Sequence, residues 1–133
     1  MAARKPRAAG NRQGHNTSPL ARVRRICLAL PEATEKEAWG APTFRVRNKL
    51  FAMYAHDVHG DGRIAVWLNS DAATQQQLIA SDPERFFSPP YVGSSGWIGI
   101  RLDRGLDWDV VAEFVLQAYR RTAPKRLAAL LEE

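Results

Sequence analysis

The chain has 133 residues, enough for one hydrophobic core but not for two. Apolar residues make up 45% of it and charged residues 25%, ordinary values for a folded domain, and no apolar stretch approaches the roughly 20 residues that cross a bilayer. The net charge of +5 is unevenly placed: seven of the 19 basic residues (Arg4, Lys5, Arg7, Arg12, Arg22, Arg24 and Arg25) precede the first acid, Glu32, which leaves 12 basic against 14 acidic groups in the remainder. Basicity is therefore a property of the leader and of the segment after it, not of the body.

Residues 1–17 contain no aliphatic side chain larger than Ala after Met1. Such a stretch buries too little surface to offset its ordering entropy, so a disordered basic arm is expected there, followed by one domain over 18–133. Ser18-Pro19 supplies an N-cap and a proline at the first helical position. Leu20, Val23, Ile26, Cys27 and Leu30 then recur at helical spacing until Pro31, with Arg22, Arg24 and Arg25 on the other flanks. Arg24-Arg25 echoes a twin-arginine export signal, but the apolar run behind it stops after five residues, against the roughly 7–15 such a signal needs. A cytoplasmic location with no membrane partner is the expectation. Cys27 is the single cysteine, so an internal disulfide is excluded and a thiolate zinc site is not available; its place on the helix's apolar face makes it a small core residue.

Residues 32–42 read as an acidic loop closed by Gly40 and Pro42. Thr43 to Val46 and Leu50 to Ala55 read as paired strands around a tight turn at Arg47-Asn48-Lys49. After Gly60-Asp61-Gly62, the segment Arg63 to Leu68 alternates, with Ile64, Val66 and Leu68 on one face and Trp67 on the other. Ser70 or Asp71 caps a helix running to Ala80, and Asp82-Pro83 opens a short helical turn through Phe87. Ser88-Pro89-Pro90 breaks the chain before a strand from Trp97 to Leu102 that turns Ile98, Ile100 and Leu102 one way. Asp107 caps a long last helix striped by Trp108, Val111, Val115, Ala118 and Tyr119, which Pro124 interrupts before Leu127, Leu130 and Leu131.

Helix, three strands, helix, strand or strand pair, helix is the order of an α+β domain with helices packed on an antiparallel sheet. From about Leu20 to Leu131 the chain also resembles the MmcQ/YjbR-like family. The matching residues are the helix ending Leu28-Ala-Leu-Pro31, the run Gly40-Ala-Pro-Thr-Phe-Arg-Val46, then Lys49-Leu-Phe-Ala52, Tyr91-Val92, and Gly96-Trp97 opening the late strand. The resemblance implies a two-layer α-β(3)-α-β(2)-α domain similar to secretion chaperones, described for the family as a double-wing DNA-binding fold. It carries over no catalytic residue, and the basic arm lies outside it.

The string from His56 to Gly62 (HDVHGDG) is the most metal-like in the chain, and Asp57, His59, Asp61 and Gly62 echo the start of an EF-hand loop. The twelfth position of such a loop would be Leu68 instead of a bidentate Glu, so a solvated turn is the better reading. Gly93-Ser94-Ser95-Gly96 resembles a phosphate cradle but leads into a strand and not into a helix N-terminus. No nucleophile and base can be paired, and Glu32, Glu35 and Glu37 offer no acid–base geometry. No enzyme, metal or cofactor is expected.

Trp39, Phe44, Phe51, Phe86, Phe87, Trp108 and Phe114 are expected in the core. Trp67 is expected on an open sheet face near Arg45 or Arg47, with Tyr91 and Trp97 at the rim of the same surface. Two functions follow. In the first, the protein binds DNA through phosphate contacts from the arm, from Arg22, Arg24 and Arg25 of the first helix and from Arg45, Arg47 and Lys49 of the first hairpin. In the alternative, Trp67, Tyr91 and Trp97 hold a flat small molecule or a protein partner, a homodimer contact among them.

Overall fold

The computed structural model describes residues 18–132; the expected basic arm, 1–17, lies outside the described residues. Helix α1 (Pro19–Leu28) starts where Ser18 Oγ accepts the Ala21 amide at 3.1 Å and buries Val23 and Cys27. Four strands follow: β1 (Ala33–Ala38), β2 (Ala41–Val46), β3 (Lys49–His56) and β4 (Ile64–Leu68). Helix α2 (Ala72–Ser81) leads to a two-residue strand β5 (Phe86–Phe87), then β6 (Ile98–Arg101), helix α3 (Trp108–Thr122) and the short helix α4 (Lys125–Ala129). The strands form one antiparallel sheet in the order β1-β2-β3-β4-β6-β5. This is the α+β, two-layer architecture expected. Among the described residues no helix is long and apolar enough to cross a membrane.

Two segments differ from the sequence reading. Residues 33–38 are a strand and not a loop: Ala33 to Ala38 pair with Val46 to Ala41 along the whole length of β2. The segment Ala-Thr-Glu-Lys-Glu-Ala has little strand propensity of its own, and the hairpin partner imposes the conformation. Its charged side chains suit an edge strand, whose unpaired backbone groups must not invite a second sheet. The segment 82–87 makes a turn and then adds Phe86 and Phe87 to β6, instead of completing a helical turn.

Both hairpins at this end use two-residue connections with positive φ at both positions, Trp39-Gly40 (54° and 74°) and Arg47-Asn48 (51° and 66°). That is the backbone of a type I′ turn, whose twist matches that of the flanking strands. In β3 the register slips by one residue opposite Phe44/Arg45, which leaves Phe51 as the extra residue. The bulge allows Phe51 and its neighbour Ala52 to join the same core cluster.

The sheet buries apolar side chains on both faces. On one, Phe44, Val46, Phe51, Val66, Leu68, Ile98 and Ile100 pack against Val23 and Cys27 of α1, Val111, Val115, Ala118 and Tyr119 of α3, and Leu127 of α4. The Phe51 and Tyr119 rings meet edge-to-face at 5.5 Å, and the Tyr119 hydroxyl donates to the Pro31 carbonyl at 2.7 Å, tying α3 to the start of β1. Burial pushes the Cys27 thiol far above its ordinary pKa, so it remains an inert core group. The alternation expected from the sequence holds for Val66 and Leu68, which go to the helix side, and for Trp67, which goes to the other. On that second face lies a separate cluster of Ala55, Ala65, Trp67, Phe87 and Trp97.

Phe44 is fully buried where β2 meets the helices. Phe44→Ala should therefore lower the unfolding free energy by about 3–5 kcal/mol, read as a shift of the urea midpoint at unchanged slope.

Candidate functional site

Opposite the helices, the sheet is covered, among the described residues, by connecting segments. The segment after Ser88-Pro89-Pro90 coils back over it: the Gly93 amide donates to the Pro89 carbonyl at 2.9 Å and the Trp97 amide to the Val92 carbonyl at 3.3 Å, around a 3-10 turn at Gly93–Ser95. Gln75, on the buried side of α2, donates its amide to the Gly93 carbonyl at 2.9 Å and to the Trp97 carbonyl at 2.6 Å. One side chain thereby donates to two carbonyls of the connection, the Gly93 carbonyl also accepting the Gly96 amide at 3.0 Å. Gly96 sits at φ 93°, and a Cβ there would lie 2.8 Å from the Ala72 nitrogen, so only glycine lets the connection lie against the start of α2. Phe87 lies over Gly99, whose missing side chain leaves room for its ring, and the Arg63 guanidinium stacks 4.1 Å from the centre of that ring.

This cover is incomplete. Toward the Trp39-Gly40 turn it leaves a concavity of about 830 Å³. Trp67 and Trp97 form part of its wall, with Met53, Val92 and Leu50, while Trp39 and Tyr91 stand at its mouth. Trp67 and Trp97 are 3% and 9% exposed, whereas Trp39 and Tyr91 are 77% and 75% exposed. His59 Nε2 lies 2.5 Å from the Tyr91 hydroxyl, linking the turn before β4 to the connection before β6. Among the described residues no lysine, arginine, aspartate or glutamate lines the concavity; its titratable lining is Tyr54, His56, His59 and Tyr91.

The three aromatic residues expected to share a surface, Trp67, Tyr91 and Trp97, thus line one concavity. The expected openness is corrected: Trp67 and Trp97 are covered, because the segment 89–97 and Phe87 close most of that face. Trp39 is corrected in the opposite sense. Expected in the core, it sits at a hairpin tip, where a two-residue turn projects it into solvent. His59, read as part of a solvated turn, also belongs to the lining. The Trp-Gly dipeptide was the available signal for the tip, and it is legible only once 33–38 is known to be a strand. In the same string Asp57 Oδ1 accepts the Gly62 amide and Asp61 Oδ1 the Arg63 amide, each at 2.8 Å, so both carboxylates stabilise the turn. Among the described residues no group of three or more His, Cys, Asp or Glu is placed to hold a metal ion.

The six basic residues singled out in the sequence fall into different surroundings. Arg24 makes a bidentate pair with Glu35 of β1, three contacts at 3.0 Å. Arg47 pairs with Glu32 through contacts of 2.6 and 3.2 Å. The hydrogen bond from Arg47 holds the Glu32 carboxyl below its ordinary range, and each arginine is held more firmly in its charged form by its partner. Arg22 lies over the Trp108 ring, 5.4 Å from its centre. Arg45, half-buried, donates to Thr43 Oγ1 at 3.3 Å and pairs in register with Leu50, which belongs to the loop-covered face. Arg25 and Lys49 are exposed. The first helix and the first hairpin do bring Arg24 and Arg47 to the same sheet edge, but the acids at 32 and 35 occupy both.

A family model described as YjbR matches residues 28–121. The chain belongs to the YjbR family. A solved structure with the same fold is protein DR2400 of Deinococcus radiodurans, a DUF419-family domain, at 18% identity and a TM-score of 0.62 over 73% of this chain and 72% of that one. No curated protein matches the chain. The YjbR match spans α1's last residue through most of α3 and so contains the aromatic concavity apart from Leu20.

Gln75→Leu keeps the bulk of the side chain but removes both of its hydrogen bonds to the covering segment, leaving the Gly93 carbonyl only the Gly96 amide. It should destabilise the protein by about 2–4 kcal/mol in urea unfolding, with earlier hydrogen exchange at Gly96 and Trp97 than in the helix-side strands.

Proposed function

We propose that this YjbR-family chain is a non-enzymatic binding domain that takes a small, flat, uncharged molecule between Trp39, Tyr91 and the aromatic wall. The observation that carries this reading is the concavity itself. Its volume of about 830 Å³ is in the range of sites for small organic ligands, which span roughly 300–1,000 Å³. Its lining is largely aromatic and aliphatic, and among the described residues it holds no Lys, Arg, Asp or Glu to match a phosphate or an ammonium group. Two large aromatic rings exposed at one mouth are costly in water unless something covers them, and stacking on a flat ligand does so at low entropic cost. Among the described residues the lining holds no Ser, Thr, Cys, Lys, Asp or Glu, and the hydroxyl–imidazole pair it does hold, Tyr91 and His59, stands at the exposed mouth, which favours binding over turnover.

Nile red, a neutral planar dye, tests the reading directly. Its emission should rise and shift to the blue on binding, and the fluorescence of the lining tryptophans should be quenched. Trp39→Ala and Tyr91→Ala should each weaken binding about tenfold, the equivalent of about 1.4 kcal/mol, without lowering the melting temperature, because both side chains are exposed. Equal affinity in both variants and the parent protein would sink the proposal.

A second reading, DNA binding, is favoured by the seven cations that precede Glu32. If four of them contact phosphates, affinity for a duplex should fall roughly a hundredfold between about 50 and 200 mM salt. Removing residues 1–17 should abolish most of it, since Arg24 and Arg47 already hold carboxylates. Nile red binding should not respond to either change. Failure to retain a labelled duplex even at low salt would reject the DNA reading and leave the first one standing.

A further inference from the structure

A second concavity, of about 440 Å³, lies between α2 and the C-terminal half of α3, apart from the aromatic one. Leu68, Leu78, Ile98 and Phe114 give it an apolar floor. Its rim carries two consecutive arginines, Arg120 and Arg121. Arg120 is half-buried, and its Nε is shut off from water with no hydrogen-bond acceptor. It takes part in none of the seven ion pairs among the described residues. Arg121 reaches only Asp71, at a loose 3.6 Å. The Asp71 carboxylate is already the cap of α2, accepting the Thr74 amide at 2.8 Å and the Thr74 hydroxyl at 3.1 Å. Asn69, also on the rim, has its amide directed to Thr122 Oγ1 at 2.8 Å.

The Arg120 Nε, closed to water, is equally closed to a ligand in the pocket, so recognition falls to the outer nitrogens of the two guanidinium forks, for which an oxyanion is the best-matched acceptor. The charges on this rim settle which oxyanion. Arg121 and Asp71 balance one another, so Arg120 contributes a single uncompensated positive charge. An apolar floor beneath one net charge calls for one negative charge on an apolar body.

We propose that the pocket between α2 and α3 binds a small apolar monocarboxylate, its oxygens on Arg120 and Arg121 and its body over Leu78 and Phe114. The site is independent of the aromatic concavity, and its success or failure leaves the function proposed above untouched.

The experiment uses the full chain with benzoate as the probe, benzamide as its uncharged isostere and inorganic phosphate as an anion without an apolar body. Benzoate should shift the Arg120 Nε–H resonance saturably and raise the melting temperature. Benzamide should do neither at equal concentration, and phosphate should bind at least several-fold more weakly. Arg120→Gln should lower benzoate affinity at least tenfold, and Tyr91→Ala, at the other concavity, should leave it unchanged. Should Arg120→Gln fail to fold, Arg121→Gln, at an exposed position, replaces it and should weaken benzoate several-fold. The proposal is overturned by benzamide matching benzoate, by phosphate binding as tightly as benzoate, by the absence of a saturable shift, or by an arginine variant that binds like the parent protein.

Discussion

The sheet is apolar on both faces, and the helices of the described residues cover one of them. Helices α1, α3 and α4 bury the side that carries Phe44, Phe51, Val66, Ile98 and Ile100. The side that carries Trp67 and Trp97 must be closed by connecting segments, which bring unsatisfied backbone groups with them. Gln75 resolves that conflict by donating to two carbonyls of the covering segment from the buried side of α2. Where this cover ends, toward the Trp39-Gly40 turn, the remaining apolar surface is the concavity. The candidate site is thus the residue of a burial problem that the fold solves for most of one face and leaves unsolved at one end.

Electrostatics follow the same logic of local supply. Edge strand β1 carries Glu35, and Glu32 immediately precedes it. Charge keeps an edge from pairing with other sheets, and here those two acids also recruit Arg24 and Arg47. A net positive charge written in the sequence becomes, on the folded surface, two neutralised pairs at one edge and five further ion pairs elsewhere among the described residues. Exposed pairs of this kind contribute little to stability, but they decide which cations remain available to a polyanion. The consequence for function is that the body presents aromatic surface more distinctly than it presents charge. Arg120 stands apart among the described residues because its buried Nε has no hydrogen-bond acceptor.

Several features were legible in the residues alone. The Ser18-Pro19 and Asp107 caps, the stripes of α1 and α3, and the alternation of Val66 and Leu68 against Trp67 are local patterns, and the structure follows each of them. The grouping of Trp67, Tyr91 and Trp97 was legible too, since the strand period assigns Trp67 to the second face and the glycine-rich break before Trp97 turns the chain back over it. Trp39 was misplaced because a tryptophan beside glycine says nothing about exposure until the strand before it is recognised. That strand, Ala33 to Ala38, lacks β-branched and aromatic residues except Thr34 and forms through its partner.

What the sequence determined by itself were the periodicities, caps and turns, because side-chain alternation and backbone preference act over a few neighbouring residues. Only the tertiary structure decided that Arg24 meets Glu35 and Arg47 meets Glu32, that Gln75 holds a segment some twenty residues away, and that Trp39 and Tyr91 share one mouth. Each of these joins groups distant along the chain. Such contacts are set by how the sheet closes on its covers, which no local pattern encodes.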